Sequence, residues 1–262
     1  MYDISFFQKS KDIKDKIVKG EFQLDDAGSI EKELETLRSQ APKVFNIETT
    51  NYCNMKCVMC ARTELMTRDN IWIDDDTFLK VIDQVQPHSS EDLDKFWGFI
   101  EREYNSYGNE PSENTFYFRV VSRCVILHGF GEPLLDKKIV DRVKACSDRG
   151  ISTYFSCVPA NLTVERAEDV MKAGLTVFKF SIDALDDEWQ KKIRGKQNNF
   201  EASYRTILDI IDLKKAKGYK TLLVPCMIAL SEDEKAQDMH SRFMKLWEGK
   251  DVFAYVKSQD NR

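Results

Sequence analysis

From Lys43 onward the chain alternates short apolar strand-like runs with amphipathic helical ones, and this alternation restricts the fold more than any other feature. KVFNIETT (43–50) reads as a strand. A helix opens at the acidic run Asp74–Asp76, where a carboxylate can cap the first turn, and continues through Phe78, Val81, Ile82 and Val85. RCVILHG (123–129) is the next strand. LLDKKIVDRVKACSDRG (134–150) is the next helix, with Ile139, Val143 and Cys146 at helical spacing and Gly150 as its stop. ISTYFS (151–156), TVFKFSID (176–183), TLLVPCMIAL (221–230) and DVFAYVK (251–257) follow as strands. The helices between them start at Thr163 and Phe200, and the last carries Ala236, Met239, Phe243 and Leu246. Strands alternating with helices of this length form right-handed βαβ units and a parallel sheet. Six strands fall short of the eight of a closed barrel. The expected architecture is therefore α/β, a partial (β/α)6 barrel open on one side.

Two segments stand outside this rhythm. Residues 1–40 are charged and helical, with Phe6, Phe7, Ile13, Ile17 and Val18 as sparse apolar anchors, and read as an N-terminal helical extension to a core at 41–262. Residues 87–121 look irregular and read as an insertion. Their aromatics (Phe96, Trp97, Phe99, Tyr104, Tyr107) suit a lid over the open barrel end. A net charge of −5 gives no broad electrostatic footprint for nucleic acid or an anionic membrane. No apolar run approaches the roughly 20 residues that span a bilayer, and the first residues lack the basic-then-apolar order of a secretory signal. A cytoplasmic location is the expectation, with neither membrane nor nucleic acid as partner.

Three of the seven cysteines crowd into eight residues, CNMKCVMC, as Cys53, Cys57 and Cys60. The others, Cys124, Cys146, Cys157 and Cys226, are scattered in a way that fits buried thiols in a reducing compartment. The C-x3-C-x2-C loop follows the first strand, and the C-terminal ends of parallel strands are where α/β barrels build their sites. An ordinary 4Fe–4S cluster takes four thiolates; three leave one iron free for a small molecule. The same spacing also suits a zinc site, for which His88, Cys124 and His128 are the nearest fourth ligands.

This motif, in its place after the first strand, resembles that of the radical S-adenosylmethionine (radical SAM) superfamily, and the pattern from Lys43 to Lys257 agrees with it. The resemblance implies a 4Fe–4S cluster on Cys53, Cys57 and Cys60, with SAM chelating the open iron. It also implies reductive cleavage of SAM to a 5′-deoxyadenosyl radical that abstracts a substrate hydrogen. HGFGEPLLD (128–136) is similar to the family's Gly-Gly-Glu segment, with Phe130 at the first glycine and Gly131 and Glu132 retained, which implies contact with the SAM amino group. In TVFKFSIDAL, alternation places Phe178, Phe180 and Ile182 on the helix-facing side and Lys179, Ser181 and Asp183 on the lumen side. The resemblance makes Ser181 and Asp183 candidates for SAM contacts, against the plainer role of Asp183 as a helix cap. Arg194, in a segment similar to the family's Ile-Arg-Gly, is a candidate partner for the SAM carboxylate, against a solvated surface arginine.

Two positions depart from the family pattern. The strand that ends in Thr-Asn-Gly in many relatives reads Ser156, Cys157, Val158, Pro159 here, which leaves Ser156 as the polar contact. The residue before the third cysteine, often aromatic, is Met59, whose thioether can pack on an adenine ring. The wording is most like the SPASM/Twitch group, whose C-terminal auxiliary-cluster domain is not present in this chain, since no cysteine lies beyond Cys226. What the resemblance implies is an enzyme with a reducing partner such as flavodoxin or ferredoxin. Its substrate would be a sugar, peptide or cofactor precursor undergoing dehydrogenation, epimerisation or cross-linking. The competing function is a non-catalytic zinc or iron–sulfur protein.

Overall fold

Five of the expected strands pair into one sheet, in a computed structural model that describes residues 3–21, 27–39, 43–231 and 233–259. They are β1 (Cys124–Ile126), β2 (Ser152–Cys157), β3 (Val177–Ser181), β4 (Leu222–Ala229) and β5 (Tyr255–Ser258). Their order is β1-β2-β3-β4-β5 and every neighbouring pair is parallel. The sheet is open, as a partial barrel requires. Helices connect the strands: α7 (Ile139–Ser147), α8 (Val164–Lys172), α9 (Asp187–Arg194) with α10 (Phe200–Lys217), and α11 (Glu234–Trp247).

Alternation decides the two faces. Phe155, Cys157, Phe178, Phe180, Leu223 and Met227 pack outward against Val143 of α7, Val170 of α8, Ile207 of α10 and Phe243 of α11. Each large apolar side chain buried there contributes about 1.5–3 kcal/mol. Side chains of the other phase, Tyr154, Val177, Val224, Cys226 and Tyr255, face the lumen. Cap residues set the helix starts: Asp74 accepts from the Thr77 N–H at 2.8 Å to open α4 (Asp75–Ile82), and Thr163 accepts from Arg166 at 3.1 Å to open α8.

The first expected strand is much shorter than 43–50. It flanks β1 through Ile126 N–H to Phe45 O and Ile47 N–H to Ile126 O, both 2.8 Å, with one parallel bridge at Asn46. Beyond it the chain leaves the sheet. Thr50 pairs antiparallel with Trp72, and the Glu48 carboxylate accepts from the Phe130 N–H at 2.7 Å. These contacts turn the backbone into the cysteine loop before a ladder can extend.

Residues 87–121 are not irregular. They form α5 (Ser90–Tyr104) and α6 (Glu113–Arg123), the first capped by Ser89 and ended by Asn105 at φ 48°. Phe96, Phe99 and Ile100 recur at helical spacing and pack on Phe118 of α6 and Ile4 of α1 (Ile4–Val18). A second N-terminal helix, α2 (Ala27–Leu37), packs on α1. The lid reading is corrected for α6, which lies against β1, β2 and β5 and buries Phe116 and Val120 on the inner face of the sheet. The Phe116 ring stacks on Tyr255 at 5.0 Å and meets Tyr154 edge-on at 5.4 Å. The lumen thus has an aromatic floor. Among the described residues no helix is long and apolar enough to cross a membrane.

Candidate active site

The cysteine loop is clamped from three sides. Tyr52 O accepts the Glu132 N–H at 2.9 Å, Cys57 O accepts the Thr63 hydroxyl at 3.0 Å, and Val58 N–H donates to Ile193 O of α9 at 2.9 Å. Met55 plugs the loop into the protein, its sulfur receiving the side-chain amides of Gln197 at 3.3 Å and Asn198 at 3.4 Å. Cys53, Met59 and Cys60 are half-buried and pack around buried Met55, Cys57 and Val158. The three cysteines and Met59 therefore share one surface at the C-terminal end of the sheet. Burial raises the Cys53 thiol to about 11 and also pushes the Cys57 thiol up. Arg194 opposes that at Cys57, its Nη1 donating to Sγ at 3.6 Å.

Gly131 makes the clamp possible. A Cβ there would lie 2.0 Å from Thr50 O and 3.0 Å from Tyr52 O, both backbone atoms, so no side chain fits between the Gly131–Glu132 turn and the loop. Phe130, at the position of the other family glycine, is exposed, with the Arg68 guanidinium 6.0 Å above its ring. The Glu132 carboxyl is turned inward, accepting from Leu134 N–H at 3.1 Å and Val158 N–H at 2.9 Å. Burial raises it to about 7 despite those two hydrogen bonds and the charge of Arg194.

That value has a sign. The unfolded side chain titrates near its ordinary 4.5, so between there and about 7 the unfolded state has lost a proton that the folded state keeps. Stability then falls as pH rises through this window. Urea unfolding from pH 4.5 to 7.5 should show a decline on the order of 2 kcal/mol from this group. Glu132→Gln, which cannot titrate, should remove that slope; a slope unchanged in the variant would assign it elsewhere.

Asp183 and Arg194 form a buried ion pair beneath the loop. Asp183 Oδ2 takes the Arg194 Nε–H, and Oδ1 accepts the Ile228 N–H of β4 at 2.8 Å. Asp183 caps nothing: Asp186 caps α9, and the Gln190 side chain accepts the Asp183 and Ala184 N–H groups. Neither is Arg194 a solvated surface residue, since it is only 7% exposed. Its guanidinium faces Asp183 and Cys57. Ser156 and Ser181 meet across β2 and β3 with their hydroxyls 3.1 Å apart. Sequence reasoning missed the supports: Thr50, Tyr52, Gln190, Gln197 and Asn198 carry no motif, and only the asparagine-glutamine run after Gly195 hinted at loop contacts.

The zinc candidates lie apart. Cys124 is buried against the lumen floor, and His88 borders an N-terminal surface cavity. His128 stands edge-on to Tyr154 at 5.1 Å, with burial and then Lys179 lowering its pKa to about 3. Among the described residues no three His, Cys, Asp or Glu side chains converge on a single ion.

The sequence profile of the Radical SAM superfamily matches residues 118–240, the span from α6 into α11. Over that span, just under half of the chain, it resembles the radical SAM superfamily. Its cysteine loop lies upstream of the matched span. The fold recurs among solved structures. One is Streptococcus suis SuiB bound to S-adenosylmethionine, with TM-score 0.55 and 13% identity over 98% of this chain and 52% of that one. Another is methylornithine synthase (PylB), with TM-score 0.52 and 11% identity over 83% of this chain and 54% of that one. At such identities the likeness is one of fold. Among curated proteins, the tungsten-containing aldehyde ferredoxin oxidoreductase cofactor-modifying protein of Pyrococcus furiosus is 26% identical over 143 residues. That alignment covers 55% of this chain and 31% of the relative. The chain spans about half the length of these solved structures and about a third of the curated relative. Family members use a 4Fe–4S cluster and SAM.

Proposed function

We propose that this chain holds a 4Fe–4S cluster on Cys53, Cys57 and Cys60 and cleaves SAM reductively to start hydrogen abstraction from a substrate. The observation that carries this reading is the clamped loop itself. Three thiols share one surface at the mouth of a parallel sheet, with an arginine donating to one sulfur and no fourth thiol in the loop. The donor set suits the cluster: soft thiolates that bind iron, and a glycine whose missing Cβ lets the neighbouring turn close in. When bound, the cluster supplies the electron for SAM cleavage.

The protein's own residues do the holding. Arg194 favours the thiolate form of Cys57, and Asp183 fixes Arg194 in turn. Glu132 spends its carboxyl on Leu134 and Val158, which leaves the backbone carbonyls of the Phe130–Gly131 turn as the acceptors offered to the SAM ammonium. The Ser156–Ser181 hydroxyl pair and Met59 border the same mouth and serve as further SAM contacts. The reductant is a flavodoxin- or ferredoxin-like protein. The substrate is a sugar, peptide or cofactor precursor; among the similar proteins one modifies a cofactor and SuiB was solved with a precursor peptide. The test is anaerobic reconstitution followed by SAM and a strong reductant, with 5′-deoxyadenosine measured by mass spectrometry. Its absence from protein carrying about four irons and four sulfides per chain would refute the reading.

A further inference from the structure

The lumen below the cysteine loop carries a charge that the site above does not use. Lys179 lies mid-way along β3 with its ammonium 5.5 Å from the centre of the Phe116 ring and 6.0 Å from those of Tyr154 and Tyr255. Three ring faces favour a cation at that point. Burial disfavours the charge, and Tyr154, which shares a side-chain hydrogen bond with the lysine, and Cys226 act against burial and raise its pKa. Arg194 repels it, the weakest of these effects. The nearby acids are committed elsewhere: Asp183 to Arg194 and Ile228, Glu132 to Leu134 and Val158. His128 is kept neutral, its Nδ1 accepting the Ser156 N–H at 3.3 Å.

A cation held among aromatic rings is ordinarily balanced by an opposite charge. Lys179 is half-buried, and Ser181 on the same face of β3 stands between it and the mouth. We propose that Lys179 is the substrate anchor and receives a carboxylate of the substrate, seated on the aromatic floor formed by Phe116, Tyr154 and Tyr255. One ammonium beside a neutral histidine balances one negative charge, which selects a carboxylate over a phosphate dianion. The assignment rests on the SAM reading of the mouth, since SAM there leaves the lumen to the substrate.

The probe is carboxyl-13C propionate, titrated into cluster-loaded protein with SAM and followed by line broadening. Saturable binding is expected, with competition by other monocarboxylates and none by propanamide. Lys179→Met should weaken it at least about 10-fold, the cost of losing a charged hydrogen-bond donor, and Lys179→Arg by no more than about 3-fold. Circular dichroism checks the fold of both variants, and the competition arms on the wild-type protein decide the matter even if Lys179→Met does not fold. Absence of saturable binding, equal competition by propanamide, tighter binding of inorganic phosphate, or undiminished binding to folded Lys179→Met would each overturn the assignment. Wild-type protein that binds propionate through Lys179 yet yields no 5′-deoxyadenosine would instead overturn the SAM reading and leave the carboxylate site standing.

Discussion

Cys57→Ala is expected to give a folded protein that assembles no 4Fe–4S cluster and produces no 5′-deoxyadenosine above background. Cys57 is the most buried of the loop cysteines and the one that Arg194 touches. On the proposed reading, removing its sulfur deletes a ligand outright, so the loss should exceed the roughly 10–100-fold that follows from losing a residue behind a ligand. Folding should survive, because the loop's anchors are Met55, Val58 and the Tyr52–Glu132 contact, none of which uses the thiol. Iron and sulfide analysis with the absorbance of the reconstituted protein checks the cluster; mass spectrometry checks cleavage. Cys146→Ala is the control. That thiol is fully buried on the core face of α7, and its removal should lower stability while leaving iron content intact. Iron retained at wild-type levels in Cys57→Ala would remove Cys57 from the ligand set.

How far the molecule was readable in advance depends on which forces act locally. Period-2 burial separated Phe178 and Phe180 from Lys179 and Ser181 because a strand's two faces meet different surroundings, and the sheet bears this out. Cap chemistry placed the starts of α4 and α8 at Asp74 and Thr163 for the same reason, since a cap acts within three residues. The expected strand at 43–50 shrank to a bridge because Glu48 and Thr50 are drawn away by Phe130 and Trp72, residues distant in sequence. The segment that carries Phe116 reads as a lid in the sequence because aromatic content says nothing about which surface a helix covers. The Phe116 partners Tyr154 and Tyr255 lie 38 and 139 positions away. The site shows the same division. That the three cysteines gather in one loop follows from their spacing, whereas Gln197 and Asn198 act on Met55 through a contact that no periodicity announces. Arg194 and Asp183 were both marked as separate SAM contacts, and the fold joins them to each other.

That pairing leads to the second large expected effect, which concerns stability and needs no cofactor. Arg194→Met should destabilise the cluster-free protein by about 3–5 kcal/mol, because it leaves a fully buried Asp183 carboxylate without its counter-charge. Arg205→Met, which removes an exposed helical pair with Glu201, should change stability by about 0.5 kcal/mol or less. Asp183→Asn still offers an oxygen to the Ile228 N–H, so combining it with Arg194→Met removes both charges while keeping that hydrogen bond available. The double variant should therefore recover part of the loss, with a coupling of about 1–3 kcal/mol in the cycle. Urea unfolding of the four proteins measures it. A cost below about 1 kcal/mol for Arg194→Met would mean that the guanidinium is dispensable to the fold. Arg194 would then be free to turn toward a ligand carboxylate, as the motif resemblance implied. A full cost with strong coupling instead makes Arg194 a positioning residue, held by Asp183 and holding Cys57. The α9 turn would then support the cysteine loop from beneath even before any iron is bound.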